Sequence, residues 1–399
     1  MSTKTNYKPA VRSCYIGYIC QAICCNFPPL LFLIFNDKFG IPLEQITLLI
    51  TINFLTQLAI DFSSVYFVDK IGARMCAVLA HVFATVGFLC LGILPKLLPA
   101  SMTYASLVIA TVFYAMGCGL TEVIISPIVD ACPSDNSAAM MSLLHSFYCW
   151  GVVAVVLFST VFFVIFGTEN WWILALLWAI IPAVNAVCFL RVPLPNLAAE
   201  EKQSAVGLFK MPVFVIMFII MFAGGAAEQA MTQWASAYAE SGLGVSKTIG
   251  DLMGPCFFAI LMGTARVLFA KFGNEKNILK SIVGSAVLCV TAYLIVSVSP
   301  WPFLSLAACG ICGFSVGIFW PGTLSLASKT LPGVGTAMFS LLALAGDLGC
   351  TSGPSAVGYI SGIFNDNLKT GLLFGALFPV TILIFVFLLK RKTSRSIGN

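Results

Sequence analysis

The sequence predicts an all-α membrane protein in which twelve transmembrane helices form two six-helix, pseudo-symmetric halves. Two observations predict this fold class. The 399 residues are 59% hydrophobic and only 9% charged, and a set of residues recurs in the same order in the two parts of the chain. Because soluble domains usually contain about 25% charged residues, this composition excludes a soluble enzyme.

Twelve apolar stretches are each long enough to cross a bilayer, which takes about 20 helical residues. The longer stretches must tilt or extend beyond the hydrocarbon. In chain order they cover 12–35, 45–68, 75–95, 101–129, 137–166, 171–190, 212–239, 246–270, 278–298, 302–327, 334–362 and 370–390.

The placement of Lys and Arg predicts the orientation, because these residues concentrate on the cytoplasmic side of a membrane. With the N-terminus inside, seventeen of the 21 fall on the cytoplasmic side and four outside, at Lys38, Lys96, Lys247 and Lys369. We therefore expect a multi-pass protein of the plasma membrane with both termini cytoplasmic. The net charge of +5 then reflects topology and requires no nucleic-acid partner.

Neither a cleavable signal nor a metal site is predicted. The apolar run after Lys4, Lys8 and Arg12 is too long for a signal peptide and ends without a small-residue cleavage site. Of the fifteen cysteines, fourteen fall inside predicted helices and Cys132 falls in a loop. The motif Cys309-x-x-Cys312 lacks a second ligand pair, so we expect no zinc and no cofactor.

The polar segment 191–210 divides the chain into an N-terminal half (1–190) and a C-terminal half (211–399) that resemble each other. The matched features are Ala139–Leu144 with Ala337–Leu342, Gly151 with Gly349, Gly119 and Pro127 with Gly313 and Pro321, and the turn Asp69–Gly72 with Ala270–Gly273. Two parallel repeats of this kind predict a cavity near the membrane midplane that is open alternately to each side.

Four carboxylates lie inside apolar helices, at Asp61, Glu122, Glu228 and Asp347, and no Lys or Arg is expected at their depth. A lone acid in hydrocarbon costs about 3 kcal/mol on insertion scales and usually has a function there. Proton relay, cation binding and hydrogen bonding to a polar substrate are its usual uses, so the pattern favours a secondary transporter.

Glu122 and His145 are the predicted proton-coupling residues. Each lies eight residues from the loop that joins the fourth and fifth predicted helices, hence about 12 Å inside the cytoplasmic boundary. On antiparallel helices they could hydrogen-bond directly or through water. The alternatives are a protonated acid bonded to a neighbouring helix, and a histidine that only bonds between helices. His81 has no acid at similar depth and is expected to be structural.

Glu228, Gln229, Trp234 and Asp347 are predicted to contact the substrate. Indole and amide groups recognise sugar rings by stacking and by hydrogen bonding to hydroxyls. Asp347 occupies the repeat position of Cys149, so the two halves would contribute different groups. The alternative for Trp234 is ordinary helix packing.

Asn26 and Trp320 are further substrate-contact candidates, because each stands beside proline. Pro28 and Pro29 are predicted to interrupt the first helix near its centre and to free backbone carbonyls there; a simple kink is the alternative. Asp61 lies too close to the cytoplasm for a midplane ligand, and a gating or interhelical role is expected for it.

No Lys or Arg is placed to offset the desolvation of an anionic substrate, and Arg266 is the nearest exception. We therefore expect a neutral or cationic substrate. No Gly-Lys-Ser/Thr phosphate loop is present in the sequence, which disfavours a nucleotide-driven pump.

Several motifs resemble known transporters. The loop Asp69-Lys70-Ile71-Gly72-Ala73-Arg74 resembles the signature of the major facilitator superfamily, although Val65 stands where that signature begins with Gly. Gly117–Glu122 with Pro127, and His145–Phe147 with Gly151, resemble helices four and five of the fucose–galactose–glucose proton symporter family. The run with Glu228 and Trp234, and Gly353-Pro354 with Gly358, are similar to its helices seven and eleven.

This resemblance implies sugar uptake driven by a proton gradient, with Glu122 in the position of a functionally important acid. The loop residues Asp69, Gly72 and Arg74 would act with Asp61 in gating. Members of the family carry a second important aspartate in the first helix, where this chain has Asn26-Phe27. The departure implies that Glu228 or Asp347 takes over that role, or that coupling differs.

The sequence therefore predicts an importer that works by alternating access and couples a neutral, sugar-like solute to protons, or else to sodium. An exporter of cationic or lipophilic compounds on the same fold is the first alternative, and a sensor that binds a solute without moving it is the second. We recognise no pair of a nucleophile and a base in the sequence that would indicate an enzyme. The expected partners are the solute, the coupling ion and the lipid bilayer, with no obligatory protein partner.

Overall fold

The computed structural model describes residues 6–41, 43–197, 205–239, 244–245, 252–274, 276–331, 334–365 and 367–396. All regular secondary structure in these ranges is helical. The predictions for Lys4, Lys202 and Lys247, for residues 198–204 of the polar segment and for the start of the eighth predicted span lie outside the described residues.

Seven helices precede residue 192, and nine follow residue 204 among the described residues. The first group comprises α1 (Lys8–Leu30), α2 (Phe32–Phe39), α3 (Leu43–Ile71), α4 (Ala73–Leu97), α5 (Thr103–Asp130), α6 (Ser137–Phe166) and α7 (Trp171–Arg191). The second comprises α8 (Ala205–Phe209), α9 (Pro212–Ala237), α10 (Phe257–Phe272), α11 (Ile278–Val298), α12 (Pro302–Val316), α13 (Phe319–Thr330), α14 (Thr336–Ile363), α15 (Leu368–Gly375) and α16 (Leu377–Ser396).

Ten helical segments in the described part of the chain are long and apolar enough to cross a membrane. They coincide with ten of the predicted spans. The other two predicted spans, 12–35 and 334–362, coincide with α1–α2 and α14, which are helical but less apolar. Helices satisfy their own backbone in lipid, and apolar side chains such as Val164 and Phe303 are 81% and 80% exposed on the outer surface. This is the architecture of a multi-pass membrane protein.

The first helix is interrupted later than the sequence predicts. α1 continues through Pro28 and Pro29, and the break falls at Leu31, after which α2 begins. Proline fits helical backbone angles, although it removes the hydrogen bond to the carbonyl four residues earlier and its ring crowds that carbonyl. The chain therefore turns after the proline pair rather than beside Asn26.

A second break separates α12 from α13 at Gly317 and Ile318. Pro321 lies four residues after Gly317 and has no N–H, so the Gly317 carbonyl has no helical donor. A donor from another helix has to satisfy this carbonyl.

The chain forms two compact units. Unit 1 contains Met1–Pro133 and Trp150–Ala199, and unit 2 contains Ser134–Cys149 and Glu200–Asn399. The first part of α6 therefore belongs to unit 2 and the remainder to unit 1. The predicted division into halves 1–190 and 211–399 remains a prediction.

Gly151 and Gly349, which the repeat matches, both stand where two helices come very close. In unit 1, a Cβ on Gly151 would lie 2.7 Å from Cβ of Ala22 on α1. In unit 2, a Cβ on Gly349 would collide with the carbonyl oxygen of Phe222 on α9. Small residues permit this close packing of membrane helices.

The matched pair Gly119 and Gly313 shows the same relation. Gly119 on α5 faces Ile60 of α3, where an added Cβ would lie 3.1 Å from Cβ of Ile60. Gly313 on α12 faces Phe258 on α10, where an added Cβ would collide with the Phe258 carbonyl oxygen. In each unit the matched glycine therefore lies at a close contact between two helices.

Candidate functional site

In unit 1, three polar contacts form a ladder between α1 and α5. The Tyr18 hydroxyl bonds to the Ser126 hydroxyl (2.9 Å), Gln21 Nε2 donates to Glu122 Oε2 (2.7 Å), and the Cys25 and Cys118 thiols are 3.2 Å apart. The residues on α1 are spaced by three and four, and those on α5 by four, so each set lies along one helix face. The ladder holds the two antiparallel helices in register.

Glu122 forms the middle rung of this ladder. It is half-buried, whereas its partner Gln21 is only 5% exposed. The bond must run from the amide to the carboxylate, since a carboxylate can only accept. Gln21 Oε1 is buried and makes no hydrogen bond to the described residues. The acid of unit 1 is thus paired with a neutral group.

Asn26 and Asp61 are also in unit 1. Asn26 is half-buried, and its Nδ2 donates to the Ala22 carbonyl of its own helix (2.9 Å). Asp61 is fully buried on α3. Neither of them takes part in the hydrogen bond between Gln21 and Glu122.

His81 belongs to a separate polar network of unit 1. Its Nδ1 contacts the Ala77 carbonyl (2.7 Å), its Nε2 contacts Asn185 Nδ2 (2.8 Å), and the same Asn185 amide donates to the Ser13 carbonyl (3.0 Å). This network links α1, α4 and α7.

In unit 2, Glu228 forms an ion pair with Arg266. Glu228 Oε2 lies 3.6 Å from Arg266 Nη2, and the two residues are 6% and 2% exposed. The separation is longer than a hydrogen bond, so the attraction is mainly one between charges. The acid of unit 2 is thus paired with a full positive charge.

The other nitrogens of Arg266 donate to three more groups. Nε donates to the Gly317 carbonyl (2.9 Å), and Nη1 donates to the His145 carbonyl and the Cys149 thiol (3.0 Å each). The backbone of Arg266 in turn accepts a bond from the Ser142 hydroxyl (2.8 Å). The Gly317 carbonyl therefore accepts a hydrogen bond from Arg266 in place of the N–H that Pro321 lacks. Through these contacts Arg266, which lies on α10, connects α6 and α9 to the break after α12.

The expectation that no Lys or Arg lies at the depth of the acids is wrong for Glu228. The sequence places the Arg266 Cα near the end of its span, but a long guanidinium side chain can reach well along a helix. Its side chain is consequently buried against Glu228 rather than directed to the membrane surface.

Trp234 and Gln229 follow Glu228 on α9. The Trp234 indole N–H donates to the Pro354 carbonyl (2.9 Å), and its ring lies against Gly358 of α14, where a Cβ would lie 2.6 Å from Cζ2. The ring is half-buried, as is Gln229. The indole N–H is therefore used by the protein backbone, and only part of the ring surface remains accessible.

Trp320 of α13 packs against α14 next to Asp347. Trp320 is 8% exposed, and its ring packs directly on Gly346, the residue before Asp347. Asp347 itself is half-buried. Two predicted substrate residues, Trp234 and Trp320, thus contact α14 on either side of Asp347 in the sequence.

The loop motif after α3 has a defined backbone role. Gly72 has φ +88°, a conformation that glycine adopts without strain. Arg74 Nη1 donates to the carbonyls of Phe189 (2.7 Å) and Leu190 (3.0 Å) at the end of α7. Asp69 is exposed. Arg74 therefore caps a helix terminus, where a positive charge is favourable.

Glu122 and His145 belong to different units, so their predicted direct contact remains a prediction. His145 is 4% exposed, and its carbonyl accepts a bond from Arg266 within unit 2. Among the described residues, no group of three His, Cys, Asp or Glu side chains is arranged to hold a metal ion.

Gln21 is not among the site residues that the sequence predicts. Its signal was the spacing of Tyr18, Gln21 and Cys25, which repeats at three and four residues and marks one polar face on an apolar helix. Cys118, Glu122 and Ser126 would have shown the facing stripe on α5, with the same helical period.

Comparison with known proteins identifies the family. A family model described as the Major Facilitator Superfamily matches residues 14–354, most of the chain. The chain belongs to the major facilitator superfamily. It is therefore a membrane transporter of this superfamily, and the predicted resemblance is confirmed. No curated protein matches the chain significantly.

Solved structures of other superfamily members share the fold. The Escherichia coli fucose:proton symporter FucP is 16% identical, with a TM-score of 0.81 over 96% of this chain and 99% of that one. The proton:xylose symporter XylE is 12% identical, with a TM-score of 0.77 over 95% and 94%. The human organic anion transporter MFSD10 is 11% identical, with a TM-score of 0.73 over 96% and 100%. At these identities the likeness concerns the fold alone.

Proposed function

We propose that this superfamily transporter imports a neutral, sugar-like solute together with protons, by alternating access between two six-helix halves. The observation that carries the proposal is the contact between Glu122 and the neutral amide of Gln21 at 2.7 Å. An acid whose partner is neutral can gain or lose a proton without leaving an opposite charge stranded in the membrane. Such a group is suited to carry the coupling proton.

The charge distribution supports a neutral solute. An anionic solute needs a cation to offset its desolvation. Arg266 is deeply buried in unit 2, but its charge is matched by Glu228 and its nitrogens donate to protein groups. It is therefore engaged by the protein rather than offered to a ligand.

The polar and aromatic groups around α14 support a sugar-like solute. Trp234 and Trp320 contact α14 near the half-buried Asp347, and Gln229 lies nearby along α9. Ring faces and amide or carboxylate groups together suit a molecule with apolar faces and hydroxyl edges. FucP and XylE, which share the fold, are a fucose:proton symporter and a proton:xylose symporter.

The proposal includes the finer features of topology. Twelve transmembrane helices, both termini in the cytoplasm and residence in the plasma membrane follow from the span and charge patterns. The matched glycine contacts of the two units support the internal repeat. Asn26, Glu228 and Asp347 would contribute to the cavity, and Asp61, Asp69, Gly72 and Arg74 to gating.

Transport by purified protein in liposomes tests the proposal. Uptake of labelled fucose, xylose, galactose and glucose is measured with an inward acid gradient, an inward sodium gradient or no gradient. We expect at least one sugar to accumulate only with the acid gradient. Glu122→Gln should abolish accumulation but retain sugar exchange at equilibrium. Glutamine resembles the protonated acid in shape and charge, but it has no proton to release.

Glu169→Gln is the matched control, since Glu169 is exposed before α7 and the chemical change is the same. It should accumulate sugar like the wild type. Full gradient-driven accumulation by Glu122→Gln would overturn the role of Glu122. Accumulation driven by sodium alone, or movement of lipophilic cations without any sugar, would overturn proton-coupled sugar transport.

A further inference from the structure

The side-chain amide of Gln21 donates one hydrogen bond through its nitrogen, whereas its oxygen accepts none from the described residues. Its Nε2 donates to Glu122 Oε2, while its Oε1 is buried and makes no hydrogen bond to the described residues. With only 5% of the residue exposed, water has little access to that oxygen. A buried acceptor without a donor destabilises the structure.

Protonation of Glu122 would supply the missing donor. A protonated carboxyl has one O–H donor and one carbonyl acceptor, and a primary amide likewise has donors and one acceptor. The two planar groups can therefore form a ring with two hydrogen bonds, N–H to carboxyl oxygen and O–H to amide oxygen. The existing bond is kept and the second bond is added.

We propose that Gln21 is the positioning residue that makes both protonation states of Glu122 stable in the same helix arrangement. Its amide N–H stabilises the carboxylate by a hydrogen bond to a charged acceptor, which is stronger than one to a neutral acceptor. Its amide oxygen accepts the O–H of the protonated acid. This role of Gln21 rests on the proposed proton coupling at Glu122 and names the residue that would regulate it.

The helices packed against α5 carry few other titratable groups in this region. Among the described residues of unit 1 they include Cys25 and Cys118 on the adjoining rung, Cys24 and Tyr114 beside it, Tyr18 on the rung beyond, Asp61 on α3 and His81 on α4. His81 is held by the Ala77 carbonyl and Asn185. Gln21 is the hydrogen-bonded neighbour in unit 1 whose amide can respond directly to the proton of Glu122.

Infrared difference spectroscopy tests this role without a known substrate. The protein in lipid nanodiscs is titrated with acid, and the carboxylic C=O band that disappears in Glu122→Gln is assigned to Glu122. Gln21→Met removes the amide and keeps the length of the side chain. The carboxylate then loses one charge-assisted hydrogen bond and the protonated acid loses two neutral ones, so the pH midpoint changes only by their difference. The direct readout is the carboxylic C=O band of Glu122, which should move to higher wavenumber because its carbonyl and its O–H both lose the amide partner.

Gln57→Met is the matched control. Gln57 is 4% exposed on α3 in the same unit, and no hydrogen bond from its Nε2 is formed within the described residues. Its loss should leave the Glu122 C=O band unchanged. Gln21→Asn is the second variant, for use if Gln21→Met does not fold. It keeps an amide but withdraws it by one methylene, and it should move the C=O band in the same direction.

An unchanged Glu122 C=O band in both folded Gln21 variants would overturn the role of Gln21. So would a Glu122 that never titrates in the wild type, because both states would then not be reached. The transport assay separates this result from the proposed function. If no sugar accumulates with an acid gradient while the Gln21 variants still shift the band, the proposed function fails and the Gln21–Glu122 pairing stands.

Discussion

Glu122 in unit 1 and Glu228 in unit 2 are both acids on apolar helices, but different partners hold them. Glu122 accepts a hydrogen bond from a neutral amide at 2.7 Å, whereas Glu228 lies 3.6 Å from a guanidinium. Around Glu122 the contacts are made between two helices. Around Glu228, Arg266 adds bonds to the backbone of His145 and Gly317.

The difference separates two uses of a buried carboxylate. Protonating Glu228 would leave Arg266 charged in a low-dielectric region, which is expensive. Protonating Glu122 leaves no opposite charge on Gln21, because that partner is neutral. An acid that must change its proton during transport is therefore better placed beside an amide, and an acid that stabilises a helix junction is better placed beside an arginine.

Breaking the ion pair of unit 2 should give the largest effect on stability. Arg266→Met leaves Glu228 buried without its cation and the Gly317 carbonyl without its donor, so unfolding should become easier by about 3–5 kcal/mol. The double variant Arg266→Met with Glu228→Leu should recover part of that loss, since no charge remains. Denaturant titration in detergent micelles measures both.

Arg391→Met is the control for this prediction, because Arg391 is an exposed arginine on α16. This variant should leave the free energy of unfolding almost unchanged. If Arg266→Met unfolded no more easily than Arg391→Met, the contrast between the two acids would be lost.

Helix packing beside each acid should differ by a smaller amount. Gly349→Ala places a methyl against the Phe222 carbonyl, part of a backbone that cannot rotate away, whereas Gly151→Ala meets the Ala22 methyl at 2.7 Å. Overpacking usually costs about 1–3 kcal/mol, and we expect Gly349→Ala at the upper end and Gly151→Ala at the lower end.

Gly284→Ala on α11 serves as the control for thermal unfolding of these variants, because nothing lies within 4 Å of its added Cβ. It should be neutral or slightly stabilising, since alanine favours helix over glycine. If Gly151→Ala destabilised the protein more than Gly349→Ala, the closer helix packing would be in unit 1.

The end rung of the ladder should give the smallest effect. Tyr18→Phe removes the bond between the Tyr18 and Ser126 hydroxyls and should cost about 1 kcal/mol of folding free energy. It should leave the pH midpoint of the Glu122 band unchanged, because that rung does not hold the carboxyl. Tyr66→Phe, at a residue 58% exposed, is the control for the loss of a hydroxyl. A pH midpoint displaced by Tyr18→Phe alone would show that the ladder acts as one unit.

The helices could be predicted from the sequence with good agreement, while the partners of the acids could not. The predicted spans 137–166 and 278–298 have the bounds of α6 and α11, because a membrane requires long apolar runs with an internally bonded backbone. Gln21 and Glu122 are 101 residues apart. Their contact depends on how two helices are rotated toward each other, which apolar periodicity alone does not determine.

The sequence also did not predict the backbone conformation at positions where the two matched motifs differ in structure. Gly72 and Gly273 occupy the same position in the repeated turn, yet Gly72 has φ +88° and Gly273 has φ −77°. The break in the first helix likewise falls at Leu31 and not at the prolines. Residue type permits such conformations, and tertiary packing selects among them.

The bond from Arg266 to the Gly317 carbonyl has an electrostatic consequence for the solute. Gly317 follows directly on α12, which ends at Val316, and the aligned peptide dipoles give a helix C-terminus a partial charge of about −0.5. The N-terminus of α13 at Phe319 carries the opposite partial charge, and the carboxylate of Glu228 matches the guanidinium. The charges at this break therefore nearly cancel, and an anion gains little attraction there even though an arginine stands at its centre.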